Sequence, residues 1–399
     1  MRNLIVGIVV GVVIGIVVGT TVVAPRLKLP VQKAADRRAF SVEQTQRSAS
    51  MPQQQETTKS SGAPRPARLD ETTPVTHWRM ASAYASKLSH MGGLAVRIEE
   101  NIFKTSDGRM RIKFFEPGTL VAPDMAIDAV RSGAIEAAFA APGLWAKRNP
   151  ALHLYSAIPF GPPIQEYLAW LHAEGRTIMV DIFKKLGVYG LACGLLAPEG
   201  SGWFRKPVNS LEQMKSLRVG MSGLGGEVLA RLGTQVIPIA EGDVFVALER
   251  GLIDGAEAAQ PTIDLQLGLH RLARHYYFPG WHQPATLLTL IINQDAWIKL
   301  SPAKKNQLQT LCGDNLQRGL AASEAGQFNA LKTLIAEGVQ IETWSPEIMS
   351  ALRAAWILET AAKSKQSSDF ARAWKSLQRF REEYSIWREI GRPKIPNER

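Results

Sequence analysis

Two segments of this chain obey one rule. Residues 127–138 read IDAVRSGAIEAA and residues 246–256 read VALERGLIDGA. Each is a small apolar run of helical period, then a lone glycine, then an apolar–acid–small sequence that enters a strand. A helix that stops at glycine and returns as a strand is half of a βαβ unit. Its repetition points to two lobes built from the same α/β unit, and a body of that kind holds its ligand in the cleft between the lobes.

The same grammar extends outward from both segments. A short strand is expected from Thr76, a helix over 93–103, and a strand over 109–115 that stops at Pro117-Gly118. A helix over 125–132 and a strand through AIEAAFAAP follow. After Gly202 the pattern predicts helix 210–215, strand 217–221, helix 226–232, strand 236–239 and helix 243–251. This alternation implies parallel βαβ units with helices on both faces. LLTLIIN reads as a buried strand, and the chain from Ser301 onward as almost wholly helical.

Charge separates the function classes. The formal net charge is +11, but residues 1–70 hold ten of the 47 Lys/Arg and four of the 36 Asp/Glu. That places +6 in the first 70 residues and leaves +5 for the body, too dilute for a nucleic-acid surface. Cys193 and Cys312 are the only cysteines, which excludes a disulfide framework or a cysteine-rich metal site and leaves a single bridge undecided.

Residues 4–24 form an uncharged 21-residue stretch. At a rise of about 1.5 Å per residue it spans a bilayer core of about 30 Å. A cut after Ala24 would put Pro25 beside the scissile bond, so residues 1–28 are read as an anchor in preference to a cleaved signal segment. Gly7, Gly11, Gly15 and Gly19 make one glycine stripe on such a helix, a surface suited to self-association. Arg2 precedes the span while Arg26, Lys28, Lys33, Arg37 and Arg38 follow it, which by the positive-inside rule alone would leave the body in the cytoplasm. Residues 29–73, rich in Gln, Ser, Thr, Pro and Ala, lack apolar period and are expected to be a disordered tether.

Several motifs carry chemistry only on first inspection. GLGGE after LRVGM imitates a dinucleotide fingerprint, but Val228 stands at the third glycine position, and a tight turn at a helix N-terminus explains it equally. GMSG is no nucleophile elbow, because Leu224 stands where the last glycine belongs. His270, His275 and His282 lack metal-ligand spacing on one helical face and are read as capping or lining helix ends. No paired carboxylates at short fixed spacing announce acid–base catalysis, and no enzyme is indicated. Trp203 and the FPGW segment up to Trp281 are aromatics beside glycines, suited to a ligand wall or to core. Glu257 follows the ID-G turn at a strand's carboxyl end, where open α/β sheets bind ligands.

The runs AIPFGPPIQEYLAWL, GWFRKPVNSLEQMKSLRV, GLGGEVLARLG, ALERGLIDGAE and YYFPGWHQP together resemble the extracytoplasmic solute-binding subunit (DctP-like) of tripartite ATP-independent periplasmic, or TRAP, transporters. The resemblance covers about residues 76–392 and is greatest to the branch that binds 2-oxo acids with a cation. It implies an α/β fold, a two-lobed periplasmic-binding-protein-like clamshell with long C-terminal helices that closes on one organic acid by hinge motion. It also places the body in the periplasm, against the positive-inside count, tethered to the inner membrane beside a permease.

In that branch the cation is held by a glutamine ahead of GW, a glutamate after the ID-x-A turn, the next residue's carbonyl, and a glutamate after PGW. The matching positions here are Glu199, Glu257, Ala258 and Gln283, so an acid and an amide have traded places. Oxygen donors of this kind imply Na+ or Ca2+. The family's carboxylate-binding arginine falls on Gly220. Losing such a fork costs about 2–5 kcal/mol in a desolvated cleft. Arg218, two residues away on the same strand face, either serves a longer ligand or is a surface residue. The expected ligand-binding set is therefore Glu199, Trp203, Arg218, Gly220, Glu257, Ala258, Trp281 and Gln283.

The expected organisation is lobe I over 74–197, completed by 286–325, and lobe II over 198–285. C-terminal helices over 326–399 follow, and the resemblance implies that they form a homodimer contact. A membrane-tethered sensor or scaffold on the same fold is the alternative that Gly220 and the anchor favour.

Overall fold

The computed structural model describes residues 75–239 and 241–391. The anchor and tether expected for residues 1–28 and 29–73 lie outside the described residues. Among the described residues no helix is long and apolar enough to cross a membrane.

The chain opens with β1 (Thr76–Ser82), α1 (Gly92–Thr105), β2 (Met110–Phe115), α2 (Ala126–Ser132) and β3 (Ala137–Ala140). Helices α3 (Ile164–Trp170) and α4 (Arg176–Lys185) lead to β4 (Val188–Leu196). There follow β5 (Gly202–Phe204), α5 (Leu211–Ser216), β6 (Arg218–Gly220), α6 (Gly223–Arg231) and β7 (Gln235–Ile237). Next come α7 (Val244–Glu249), β8 (Gly255–Ala256), α8 (Pro261–Leu267) and β9 (His275–Phe278). The last elements are β10 (Thr286–Asn293), α9 (Gln294–Lys299), α10 (Pro302–Ala336), β11 (Gln340–Thr343), α11 (Pro346–Gln366) and α12 (Ser368–Ile390).

The strands form two sheets, ordered β2-β1-β3-β10-β4 and β11-β9-β5-β8-β6-β7. Both repeated segments fold as their sequence dictates. α2 ends at Gly133 with φ 78°, and α7 ends before Gly251 with φ 66°, each glycine taking the left-handed conformation that closes a helix. Behind Gly251 the Leu252 N–H reaches the Ala247 carbonyl at 3.0 Å and the Gly251 N–H reaches Leu248 at 2.9 Å, a Schellman pair.

The sheets are not purely parallel. β1 runs parallel to β2 and β3, but β10 is antiparallel to both β3 and β4. In the second sheet β5 is antiparallel to β8 and β9, while β6 is parallel to β7 and β8. β10 is an apolar run buried on both faces, so composition marks it as a strand without fixing its direction. The region after Ser301 is almost wholly helical, as expected, and its short strand β11 pairs with β9 and completes the second sheet.

The long helices begin at sequence-encoded caps. Ser301-Pro302 and Ser345-Pro346 start α10 and α11, with the serine hydroxyls accepting from Lys304 N and Ile348 N. α10 lies across β4, and the buried Cys193–Cys312 disulfide ties the two together. α12 is held to α3 by Glu166, which is buried and accepts from Arg381 at 3.0 Å and Arg388 at 2.9 Å.

Candidate functional site

Three chain segments meet where the two sheets join: the stretch from β4 to β5, the residues after β8, and the turn from β9 to β10. Backbone bonds lock them. The Ser201 N–H donates to the Tyr277 carbonyl at 2.7 Å, and Glu199 N–H to the Gln283 carbonyl at 3.2 Å. Phe278–Pro279 is cis, and Gly280 follows it; a Cβ there would collide with the Glu199 carbonyl oxygen. Only glycine lets the PGW turn press so closely on Glu199.

The Glu199 carboxyl is buried, and its Oε1 accepts from Gln283 Nε2 at 2.6 Å and from Thr286 Oγ1 at 2.8 Å. Glu257 is positioned by its own backbone, whose N–H donates to the Gly220 carbonyl at 2.9 Å. Its side chain is 16% exposed. His282 lies between these groups and is 3% exposed. Ligand atoms of Glu199, Glu257 and His282 all lie within 4.8 Å of one another. Glu199, Glu257 and Gln283, far apart in the chain, are thus brought together, with Ala258 beside them.

His282 lines a helix end, as the reading from spacing has it, and it also joins this cluster, which spacing did not reveal. The glycine pattern of GLGGE has its reason here too: a Cβ on Gly225 would stand 2.9 Å from the His282 Cβ. The first turn of α6 therefore needs glycine for His282 to fit. The signal lay in the motif itself, since His282 separates Trp281 from Gln283. His270 and His275 take other partners, Glu337 at 2.7 Å and Glu342 at 2.9 Å.

The remaining expected residues are engaged in other contacts. The Arg218 guanidinium is engaged by Asp254, with Nε to Oδ2 at 3.0 Å and Nη2 to Oδ1 at 2.8 Å, so its fork is not offered to a ligand. Hydrogen bonding and charge from Asp254 hold Arg218 further above its ordinary range, and Arg218 holds Asp254 below the usual carboxylate range. The space a side chain would occupy at Gly220 is apolar, with Ile253 Cδ1 at 3.1 Å and Ile239 Cδ1 and Ala256 Cβ at 3.3 Å.

Trp203 is core. It is fully buried, stacks on Tyr276 at 3.9 Å, and donates its indole N–H to Asp264 Oδ2 at 2.8 Å. Asp264 also accepts from Tyr276 OH at 2.8 Å and from Ala259 N–H at 3.0 Å, which fixes the loop behind Glu257. Burial outweighs these three donors and pushes the Asp264 carboxyl up to about 7, with the charge of Glu257 adding to the effect. Gln260 braces the same loop by donating to the Ala197 carbonyl at 2.6 Å. Ala258 packs half-buried against this aromatic core. Trp281 stacks on Phe160 at 5.6 Å, and its carbonyl accepts the Phe160 N–H at 2.7 Å. Phe160 takes the left-handed conformation, φ 52°, with Arg353 4.5 Å above its ring.

Burying carboxyl groups against one another is costly unless a cation or proton offsets it. The donor chemistry at Glu199, Glu257 and His282 therefore fits a bound cation. Two mixed sheets joined at such a cluster, followed by long helices, define an α/β solute-binding protein of the two-lobed type.

The chain belongs to family 7 of the bacterial extracellular solute-binding proteins, whose model matches residues 81–364. It is 29% identical over 318 residues to a monocarboxylate 2-oxoacid-binding periplasmic protein of Nostoc sp., covering 79% of this chain and 87% of that one. A TRAP transporter solute-binding protein of Bordetella bronchiseptica superposes with a TM-score of 0.77 at 30% identity, over 79% of this chain and 95% of that chain. That structure is a mixed-occupancy dimer with copurified calcium and picolinate in one active site. A second, from Pseudoalteromonas atlantica with bound sodium and pyruvate, gives 0.74 at 27% identity, over 79% and 97%.

Proposed function

We propose that this chain is the extracytoplasmic solute-binding subunit of a TRAP transporter, binding a small carboxylic acid of the 2-oxo-acid kind together with Na+ or Ca2+. It passes that acid to the membrane permease subunits and performs no catalysis. Convergence of Glu199, Glu257 and Gln283 where the two sheets meet carries this reading. The bound acids and cations of the Bordetella and Pseudoalteromonas proteins support it.

In this reading Glu199 and Glu257 hold the cation. The cation supplies a positive charge that a carboxylate and its neighbouring keto oxygen can chelate. Gln283 orients Glu199, and Trp281 with Phe160 excludes water from one side. With apolar packing at Gly220, the cation carries a larger share of carboxylate recognition than where an arginine shares it. Residues 1–28 anchor the body to the inner membrane.

Calorimetry on the full-length chain tests the proposal, using pyruvate, longer 2-oxo acids and simple carboxylates, each with EDTA, Na+ or Ca2+. Cation-dependent binding of at least one acid is expected. Silence across that panel would discard transport and leave the scaffold alternative.

A further inference from the structure

The first sheet has a second end, remote from the site. β1, β2, β3 and β4 all begin there and β10 ends there, because β1 is parallel to β2 and β3 while β10 is antiparallel to β3 and β4. The site lies past the opposite end, where Glu199 follows β4 and Gln283 precedes β10. At about 3.3 Å per residue, the nine residues of β4 put roughly 30 Å between the two. The chain enters the described body at the remote end, through Val75 and β1.

Cations collect at that end. Lys104, Lys184 and Lys299 stand in the last turns of α1, α4 and α9, Lys304 and Lys305 in the first turn of α10, and Arg111 near the start of β2. None of these six pairs with a carboxylate among the described residues. Lys304 instead donates to Thr76 Oγ1 at 2.8 Å, Lys305 to the Ile298 carbonyl at 3.2 Å, and Arg111 lies 4.3 Å over the Phe103 ring. The exposed carboxylates at these ends are Glu100, Asp107 and Asp295, and Arg109 takes Asp107 at 3.5 Å. Apolar side chains stand among the cations in solvent: Ile298 is 60% exposed, Val75 45% and Phe103 39%. Tyr189 stacks on Trp297 at 4.0 Å, and the pair lines a shallow groove of about 310 Å³ that Lys184, Ile298 and Lys305 complete.

Unpaired positive charge draws an anionic surface, and exposed aliphatic and aromatic groups beside lysines enter a headgroup boundary. We propose that this end of the first sheet docks on an anionic phospholipid bilayer, with its cations on lipid phosphates and Ile298 and Val75 in the interface. A nucleic acid would match the charge and leave those apolar groups unused. Docked this way, the body holds its site roughly 30 Å from the lipid, where solute reaches it from the water. The proposal builds on the reading of residues 1–28 as an anchor, which supplies the bilayer.

The test mixes the full-length chain in detergent with vesicles of phosphatidylcholine, with or without phosphatidylglycerol, and then removes the detergent. Flotation reads attachment, and acetylation mapped by mass spectrometry reads which lysines the lipid covers. With phosphatidylglycerol, acetylation of Lys184 and Lys299 is expected to slow about tenfold. Lys206 and Lys215, exposed on lobe II, should react as before. Salt at about 1 M, where the screening length is about 3 Å, should abolish the protection. Ile298→Asp/Lys305→Gln should weaken it at both reporters with little change in melting, because the Ile298 side chain lies in solvent. Equal protection in both lipids, or none in vesicles that carry the chain, overturns the proposal, while flotation with phosphatidylcholine alone still upholds the anchor. Protection that rises with protein concentration in the absence of lipid also overturns it, because a second copy is then the cover. Flotation only when phosphatidylglycerol is present, with both lysines protected, upholds this surface and overturns the anchor. Flotation with neither lipid overturns both.

Discussion

The side-chain amide of Gln283 donates to Glu199 Oε1 across 2.6 Å, although 84 positions separate the two residues. The same oxygen accepts from Thr286 at 2.8 Å. Both donors turn Glu199 toward Glu257 and His282. Glu199→Gln removes a charge from the cluster, and loss of one member of a desolvated pair costs about 2–5 kcal/mol. Ca2+-dependent pyruvate affinity is expected to fall at least about thirtyfold by calorimetry. Gln283→Leu keeps that charge but loses its orientation, so its effect is expected to be smaller. Equal losses in both variants would show that orientation, not charge, governs binding.

The family resemblance puts an arginine at Gly220, so Gly220→Arg is expected to restore a fork to the cleft. The structure adds a condition. Ile253, Ile239 and Ala256 fill the space where its Cβ would go, and overpacking costs about 1–3 kcal/mol. Gly220→Arg alone is therefore expected to melt several degrees lower. Combined with Ile253→Ala it should bind pyruvate about tenfold or more tightly than the parent. A double variant that folds and binds no better would show that Gly220 does not face the ligand.

The contrast between Gly220 and His282 shows what the sequence carries. Helix–glycine–strand grammar located α2, Gly133 and β3, and again α7, Gly251 and β8, because glycine's left-handed conformation is a local property. The acids and amide of the cluster were legible only through their resemblance to a family, since 84 positions separate Glu199 from Gln283. His282 was missed because its partners come from β4–β5 and β8, which no spacing along the chain records. Arg218 stayed open between a longer ligand and the surface for a like reason: strand alternation gives its face, but only the fold reveals Asp254 in its fork. β11 left no signal. Its residues are mostly exposed and do not alternate, and it exists by pairing with the edge of β9.

Cys193 and Cys312 close a separation of 119 residues between β4 and α10. Such a bridge constrains the unfolded chain, and its loss costs about 2–5 kcal/mol. Cys193→Ala/Cys312→Ala is expected to lower the chemical denaturation free energy by that amount. Thiol titration of the unreduced, denatured wild type should find no free cysteine. Free thiols in protein isolated from the periplasm would contradict an oxidised pair.

The long helices leave apolar side chains in solvent: Phe328 and Ile335 on α10, Ile357 and Leu358 on α11, and Trp387 and Ile390 on α12. A second copy of this chain is the proposed cover. Light scattering is expected to give twice the chain mass, and Ile357→Glu/Leu358→Glu to give one chain mass with little change in melting, because neither side chain is in the monomer's core. A wild-type monomer at micromolar concentration would remove the proposal.

Asp264 gives a pH dependence whose sign follows from its environment. Its carboxyl titrates at about 7 when folded and near 3.9 when unfolded. The folded chain therefore keeps a proton through a range where the unfolded chain has lost it. The stability this group contributes is full below about pH 4 and declines as pH rises toward 7, where the folded form also ionises. The melting advantage of wild type over Asp264→Asn is expected to shrink from pH 5 to pH 8; a constant difference would refute the assignment. The Trp203 indole N–H, 2.8 Å from Asp264 Oδ2, offers a direct readout by NMR, with a midpoint near 7 that Asp264→Asn abolishes. Because the charge of Glu257 helps to hold Asp264 protonated, a cation bound at Glu257 should move that midpoint downward. A midpoint unmoved by saturating Ca2+ would mean that the cation is not held by Glu257.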